Sequence, residues 1–210
     1  MQKIIFSILL ILTLLCFPVL SITAEDWFNH ADALWDRDGG KFTDPKKAIE
    51  YLNQAIMLQP SYASAHNSRG NAYADLGMYK NAISDYDQAI RLKPDYAYAY
   101  INRGDAYYWL GQYHRSVEDC SQAIRLKPDM AAAYNNRGKA YAKLGQYQLA
   151  IKDFDEAIHM NTADVIAYNN RGITYILKGD KTMGCRDAQK ACELGDCKVL
   201  KWAKRKAYCF

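Results

Sequence analysis

Residues 133–138 read AYNNRG, and residues 167–172 repeat the same six letters thirty-four positions later. Looser copies stand upstream at the same interval, AYINRG at 99–104 and AHNSRG at 65–70. A recurrence of this length is the size of one supersecondary unit that stacks on copies of itself. With the closing glycine of each copy (Gly70, Gly104, Gly138, Gly172) taken as position 8, the register extends in both directions. Position 11 is Tyr73, Tyr107, Tyr141 and Tyr175; position 15 is Gly77, Gly111, Gly145 and Gly179; position 27 is Ala89, Ala123, Ala157 and Ala191. Position 20 is Ala82 and Ala150, with Val117 one residue past the slot that Ser116 holds. Pro94 and Pro128 take position 32, and Pro60 closes an earlier unit.

The pattern has a direct physical reading. Small residues at 8, 20 and 27 let two antiparallel helices approach closely, while large ones at 4, 11 and 24 fill the space between units. Glycine at 15 ends the first helix and proline follows the second. These residues resemble the tetratricopeptide repeat (TPR) family from Trp27 to about Leu194. The resemblance implies an all-α fold, a right-handed α-solenoid of about five helix-turn-helix units. The units fall at 25–62, 63–96, 97–130, 131–164 and 165–196, with a capping helix and tail over 197–210. The first unit carries a longer loop, DRDGGKFTDP, with Trp35 in the role of position 11 and Ala48 and Ala55 at 20 and 27. The fifth is degenerate in its second half, where Lys181 and Gly184 replace the usual Tyr and Ala. Val199, Leu200, Trp202 and Ala203 of the last helix are expected to face inward.

Half of the 210 residues are apolar, which excludes a disordered chain. The net charge of +4 lacks the concentrated positive face of a nucleic-acid binder, and no such motif is present, so no nucleic-acid partner is expected. A basic start, an apolar run from Ile4 to Leu20 and SITA before Glu25 fit a secretory signal peptide over 1–24. The alternative is an uncleaved inner-membrane anchor over 4–22, the one case in which a membrane would be a partner.

Position 7 holds Arg69, Arg103, Arg137 and Arg171, beside slots that read as buried. Sixteen residues after each stands an aspartate: Asp85, Asp119, Asp153 and Asp187. The first unit has Ala31 and Tyr51 in the two places, so both members are missing together. That covariation predicts an ion pair joining the two helices of each later unit. The bland reading makes both residues snorkelling surface charges.

Position 6 holds Asn102, Asn136 and Asn170 on the side that, in this family, is concave. Carboxamides one repeat apart can each offer a donor and an acceptor to an extended peptide. This is similar to the asparagine ladder in the repeat domain of O-linked N-acetylglucosamine transferase, although Ser68 departs from it. The other reading has these residues solvating the wall or bonding the neighbouring repeat. Tyr98, Tyr108 and Trp109 stand at groove slots as anchors for an apolar side chain or as inter-repeat packing. Asp75 and Asp105 come early and Lys139 and Lys143 later, a gradient that could orient a peptide. Asn67 and Asn71 sit where chaperone-binding relatives place part of a carboxylate clamp, but the early basic residue is missing and chaperone tails are not expected.

Four cysteines, Cys185, Cys192, Cys197 and Cys209, fall near the end. Cys185 and Cys192 are about 10 Å apart along one helix and cannot bond each other. The turn at Leu194-Gly195-Asp196 brings Cys197 back to Cys192, which leaves Cys185 for Cys209; a zinc site would lack C-x-x-C spacing. The ending GCRDAQKACELGDC resembles the tails of exported bacterial TPR proteins, in the periplasm or secreted. Cys120 reads as a small buried apolar residue. No nucleophile elbow, phosphate loop or paired-carboxylate signature is present, and the four histidines are scattered, so neither catalysis nor a cofactor is expected. The sequence therefore predicts a non-catalytic scaffold that binds a peptide or protein segment in its concave groove. The alternative is an assembly subunit of a cell-envelope complex that uses convex or end surfaces.

Overall fold

A computed structural model describes residues 22–37 and 39–209. The signal or anchor segment lies outside them except for its last residues, and no described helix is long and apolar enough to cross a membrane. Five helix pairs follow one another: α1 (Ala24–Asp32) with α2 (Pro45–Leu58), α3 (Ala63–Asp75) with α4 (Tyr79–Leu92), α5 (Ala97–Trp109) with α6 (Tyr113–Leu126), α7 (Ala131–Lys143) with α8 (Tyr147–Met160), and α9 (Val165–Lys178) with α10 (Lys181–Glu193). The short helix α11 (Lys198–Arg205) ends the array. Each second helix packs on its own first helix and on the next unit's first helix. First helices also touch one another, α3 with α5, α5 with α7 and α7 with α9, and no two second helices meet as extensively. Crowding on one side bends the stack, so the first helices line a concave wall of an α-solenoid.

Close approach explains the small residues. A Cβ at Gly70 would stand 2.5 Å from the Tyr86 ring, and one at Gly138 would stand 2.7 Å from Phe154. Those two rings fill position 24 and are fully buried. Ala82, Ala89, Ala123, Ala150 and Ala157 are buried without remainder. The turn between helices requires glycine: Gly77, Gly111 and Gly145 hold φ of +72°, +75° and +74°, where other residues are strained.

Three readings of the sequence need correction. Trp35 does not extend the first helix. α1 stops at Asp32, and Trp35–Asp36 (β1) pairs antiparallel with Lys41–Phe42 (β2) in a small hairpin. The Asp- and Gly-rich turn, with Gly40 at φ +64°, favours that reversal over another helical turn. Secondly, Ala31 is buried in one cluster with Ala48, Leu52 and Ala55, in the manner of a position-8 residue. His30 stands in the arginine's stead, its ring 5.6 Å from Tyr51, which also meets Trp27 at 5.6 Å. Ser116, which holds position 20 of the third unit, is fully buried as that slot requires. Finally, His66 is not stray: it occupies position 4 of the second unit, buried, with Nε2 3.0 Å from the Pro60 carbonyl oxygen.

The C-terminal end is tied twice. Cys185 and Cys209 form one disulfide, with Cα atoms 5.6 Å apart, and Cys192 and Cys197 form another at 4.0 Å. Ala203 of α11 is buried with Ile176 and Cys209, and Leu200, Trp202 and Tyr208 pack around them.

Candidate functional site

The arginines come first because they set the frame of the wall. Arg69 Nε and Nη2 donate to both carboxylate oxygens of Asp85 at 2.8 and 2.7 Å. The same two-pronged bond joins Arg103 to Asp119, Arg137 to Asp153 and Arg171 to Asp187. The hydrogen bonds to Asp85 hold the Arg69 guanidinium above its ordinary pKa against the opposing effect of burial. The third nitrogen of each guanidinium reaches sixteen residues backward, into the preceding unit. Arg69 Nη1 donates to Asn53 at 2.7 Å, Arg103 to Asp87 at 2.6 Å, Arg137 to Ser121 at 3.1 Å and Arg171 to Asp155 at 2.6 Å. Rings at positions 4 and 11 flank the cation: Arg103 lies 5.5 Å from Tyr100 and 5.9 Å from Tyr107, and Arg137 5.6 Å from Tyr134 and 5.9 Å from Tyr141. Each arginine thus links the second helix behind it, its own first helix and its own second helix.

On the concave wall the carboxamides spend their donors between repeats. Asn102 Nδ2 donates to Asn67 Oδ1 at 3.1 Å and to Asn71 Oδ1 at 2.9 Å, and Tyr86 Oη donates to the same Asn71 oxygen at 2.9 Å. Asn170 Nδ2 donates to Asn135 at 2.9 Å. Asn136 accepts from Lys139 within its own helix at 3.3 Å. The wall is therefore knitted across units through its amide hydrogens. Asn102 Oδ1 accepts no hydrogen bond among the described residues.

Part of the charge gradient is paired inside the wall. Lys139 Nζ donates to Asp105 Oδ1 at 2.9 Å across one repeat, and the Trp109 indole donates to Asp105 Oδ2 at 3.0 Å. Asp75 accepts the Phe42 backbone N–H at 2.8 Å and so pins the hairpin to α3. Burial raises the Asp75 carboxyl above its ordinary pKa despite that bond. Lys143 is left exposed as the cation of the wall's second half.

Two hollows run along the wall. The first, about 380 Å³, brings together Asn67, Asn71, Tyr98, Asn102 and Asp105, with Trp35 and Gly40 of the hairpin at its end. The second, about 170 Å³, brings together Tyr108, Lys139, Lys143 and Asn170 with Ile173 and Leu177. Ile173 also borders an apolar hollow with Val199 and Trp202, which carries the wall on to α11. Asn136 and Trp109 line neither main hollow. Trp109 instead stacks on Tyr79, 6.2 Å apart and 6° from parallel, and meets Tyr108 edge-on. Sequence reasoning missed Trp35, Tyr79 and Ile173 as wall residues. For Ile173 the signal was present: Ile166, Asn170, Ile173 and Leu177 share positions 2, 6, 9 and 13 with Tyr98, Asn102, Asp105 and Trp109. Among the described residues no cluster of His, Cys, Asp and Glu could hold a metal ion.

The family described as TPR repeat matches residues 39–77, 70–111 and 104–145, and the one described as tetratricopeptide repeat matches 131–161. No curated protein matches the chain. Among solved structures it is similar to YrrB, described as "a TPR protein with an unusual peptide-binding site". That pair is 22% identical over 89% of this chain and 94% of the other, with a TM-score of 0.67. MamA of Desulfovibrio magneticus RS-1 is 22% identical over 81% of this chain and 94% of its own, with a TM-score of 0.69. PilF of Pseudomonas aeruginosa is 16% identical over 88% and 85%, with a TM-score of 0.73. At these identities the likeness is one of fold.

Proposed function

The chain belongs to the tetratricopeptide repeat family, and on that premise we propose that its concave wall docks an extended segment of a partner protein. The observation that carries the reading is the pair of hollows, about 380 and 170 Å³, set end to end along first helices that are already bonded to each other. A groove held open by Asn102, Asn170 and the arginine links needs little ordering when a ligand arrives, so burial converts to affinity at low entropic cost. Tyr98, Trp109 and Leu177 present rings and an aliphatic side chain to solvent, at 53%, 57% and 55% exposure. Such groups are the usual anchors of an interface. The protein works without chemistry of its own, as a scaffold in an oxidising, exported compartment. The two disulfides and the basic-apolar start of the chain support that location. With that segment retained, the scaffold would sit at the inner membrane; with it removed, in the periplasm or outside the cell.

A second reading, an assembly subunit that uses an outer face, is favoured by one observation. A hollow of about 370 Å³ between the third and fourth units is lined by Ile124, Tyr134 and Leu149, and Leu149 is half exposed. Crosslinking capture of partners from the native compartment separates the two. Tyr98→Ala and Leu177→Ser are expected to lose the captured partner while Leu149→Ser keeps it. The opposite pattern would move function to the outer face.

A further inference from the structure

The first hollow has a chemical character of its own. Among the residues that line it there is no lysine, arginine or histidine, whereas Asp75 and Asp105 both face it, Asp105 already paired with Lys139 from outside the hollow. Aromatic rings form much of the rest: Trp35, Tyr79, Tyr86 and Tyr98. Both N–H groups of Asn102 are turned back to Asn67 and Asn71, which leaves Asn102 its carbonyl oxygen, while Asn67 and Asn71 spend their oxygens and keep N–H groups that suit a peptide carbonyl. Asp75 spends one oxygen on Phe42 and retains the other. Trp109 holds one corner in place. Its indole N–H fixes Asp105 while its ring stacks on Tyr79. The ring faces, the remaining Asp75 oxygen and the Asn102 carbonyl oxygen share one electrostatic preference, and it is for a cation.

We propose that this hollow receives the cationic side chain, arginine or lysine, of the segment docked in the groove. This deepens the groove reading and rests on it. The hollow's about 380 Å³ holds a guanidinium or an ammonium with its aliphatic stem against the rings. The carboxyl of Asp75, which burial raises above its ordinary value, is the group whose charge such a ligand would stabilise. The rest of the wall agrees: the second hollow, lined by Leu177, Ile173 and Lys143, suits the apolar remainder of the same segment.

The test uses the full chain and three small probes: N-acetyl-arginine amide, N-acetyl-lysine amide and N-acetyl-citrulline amide. Binding is followed through the Trp35 indole signal in two-dimensional NMR. The two charged probes are expected to shift that signal to saturation, and the uncharged citrulline probe to require at least tenfold more ligand. Asp75→Asn keeps an acceptor for Phe42 and is expected to weaken the charged probes at least tenfold. Tyr98→Ala, which removes an exposed ring, is expected to weaken them as well. Equal binding of the arginine and citrulline probes, or unchanged binding by both variants, overturns the proposal. Leu177→Ser is expected to leave the probes unaffected and to weaken capture of a whole partner. If Leu177→Ser weakens capture but the probes show no preference for charge, the groove stands and the cation site falls. If charged probes bind while no groove substitution alters capture, the cation chemistry stands and the docking groove falls.

Discussion

Removing one aspartate from the arginine ladder should cost different amounts in different units, and the structure says why. Arg137 is bonded to Asp153 through two hydrogen bonds and has only the neutral Ser121 behind it. The Arg137 side chain is 19% exposed and that of Asp153 6%. Asp153→Ala strands a largely buried guanidinium, and breaking such a pair costs about 3–5 kcal/mol; the arginine's residual contact with water places this one near 3. Arg103 differs. Without Asp119 it keeps a second carboxylate, Asp87, at 2.6 Å. Asp87 is half exposed, so that bond is worth at most about 1 kcal/mol, and Asp119→Ala should cost about 2. Replacing both members of the first pair, Arg137→Met with Asp153→Leu, should be close to neutral, so a cycle built on those two single variants should show a coupling of at least about 3 kcal/mol. Urea unfolding is the assay, since a neutral denaturant leaves the charges unscreened. With a slope of about 2 kcal/mol per molar, Asp153→Ala moves the midpoint by roughly 1.5 M. A coupling below about 0.5 kcal/mol, or equal losses for Asp153→Ala and Asp119→Ala, would refute the reasoning.

Three further outcomes follow from single buried atoms. Ser116 Oγ is buried with no hydrogen-bond partner among the described residues, so Ser116→Ala should stabilise by about 1 kcal/mol and raise Tm by roughly 2–4 °C in calorimetry; a fall would mean the hydroxyl has a partner. Gly184 sits where the first, second and fourth units carry alanine, yet a Cβ there would lie 2.7 Å from the Gly172 carbonyl oxygen and 2.5 Å from Ile176. Gly184→Ala should therefore destabilise by about 1–3 kcal/mol despite alanine's better helix propensity, and a more stable variant in urea titration would show that α9 and α10 can part at no cost. Burial pushes the Cys120 thiol up to about 12, so near pH 8 it should ignore a thiol reagent until the chain unfolds; rapid native labelling would contradict its burial.

Much of this was legible because the repeat writes each contact several times. One Arg and one Asp sixteen residues apart mean little; four such pairs, with both members absent from the first unit, define a bond. The backward link escaped notice although it lies at the same distance. Its acceptors are Asn53, Asp87, Ser121 and Asp155, and any small polar side chain can meet an arginine N–H, so no single letter recurs. The hairpin was illegible for a different reason. Two-residue strands carry no alternation, and Trp35 stands where a periodic reading wants a helical aromatic. The wall residues were assigned from family positions, but which amide hydrogen points to a neighbour is decided by packing across some thirty residues. The same distance hid the bond between Lys139 and Asp105, which turns two opposite charges of a gradient into one neutral contact.

The backward reach of the arginines has a mechanical consequence. Since Arg103 grips α4 through Asp87 as well as its own α6, and Arg171 grips α8 through Asp155 as well as α10, no middle unit can swing away without opening its neighbour's clasp. Under load the array should behave as one stiff spring that yields all at once. The Trp27–Pro60 segment differs only within itself, where rings in place of charge hold its two helices together, while Arg69 grips it from behind through Asn53.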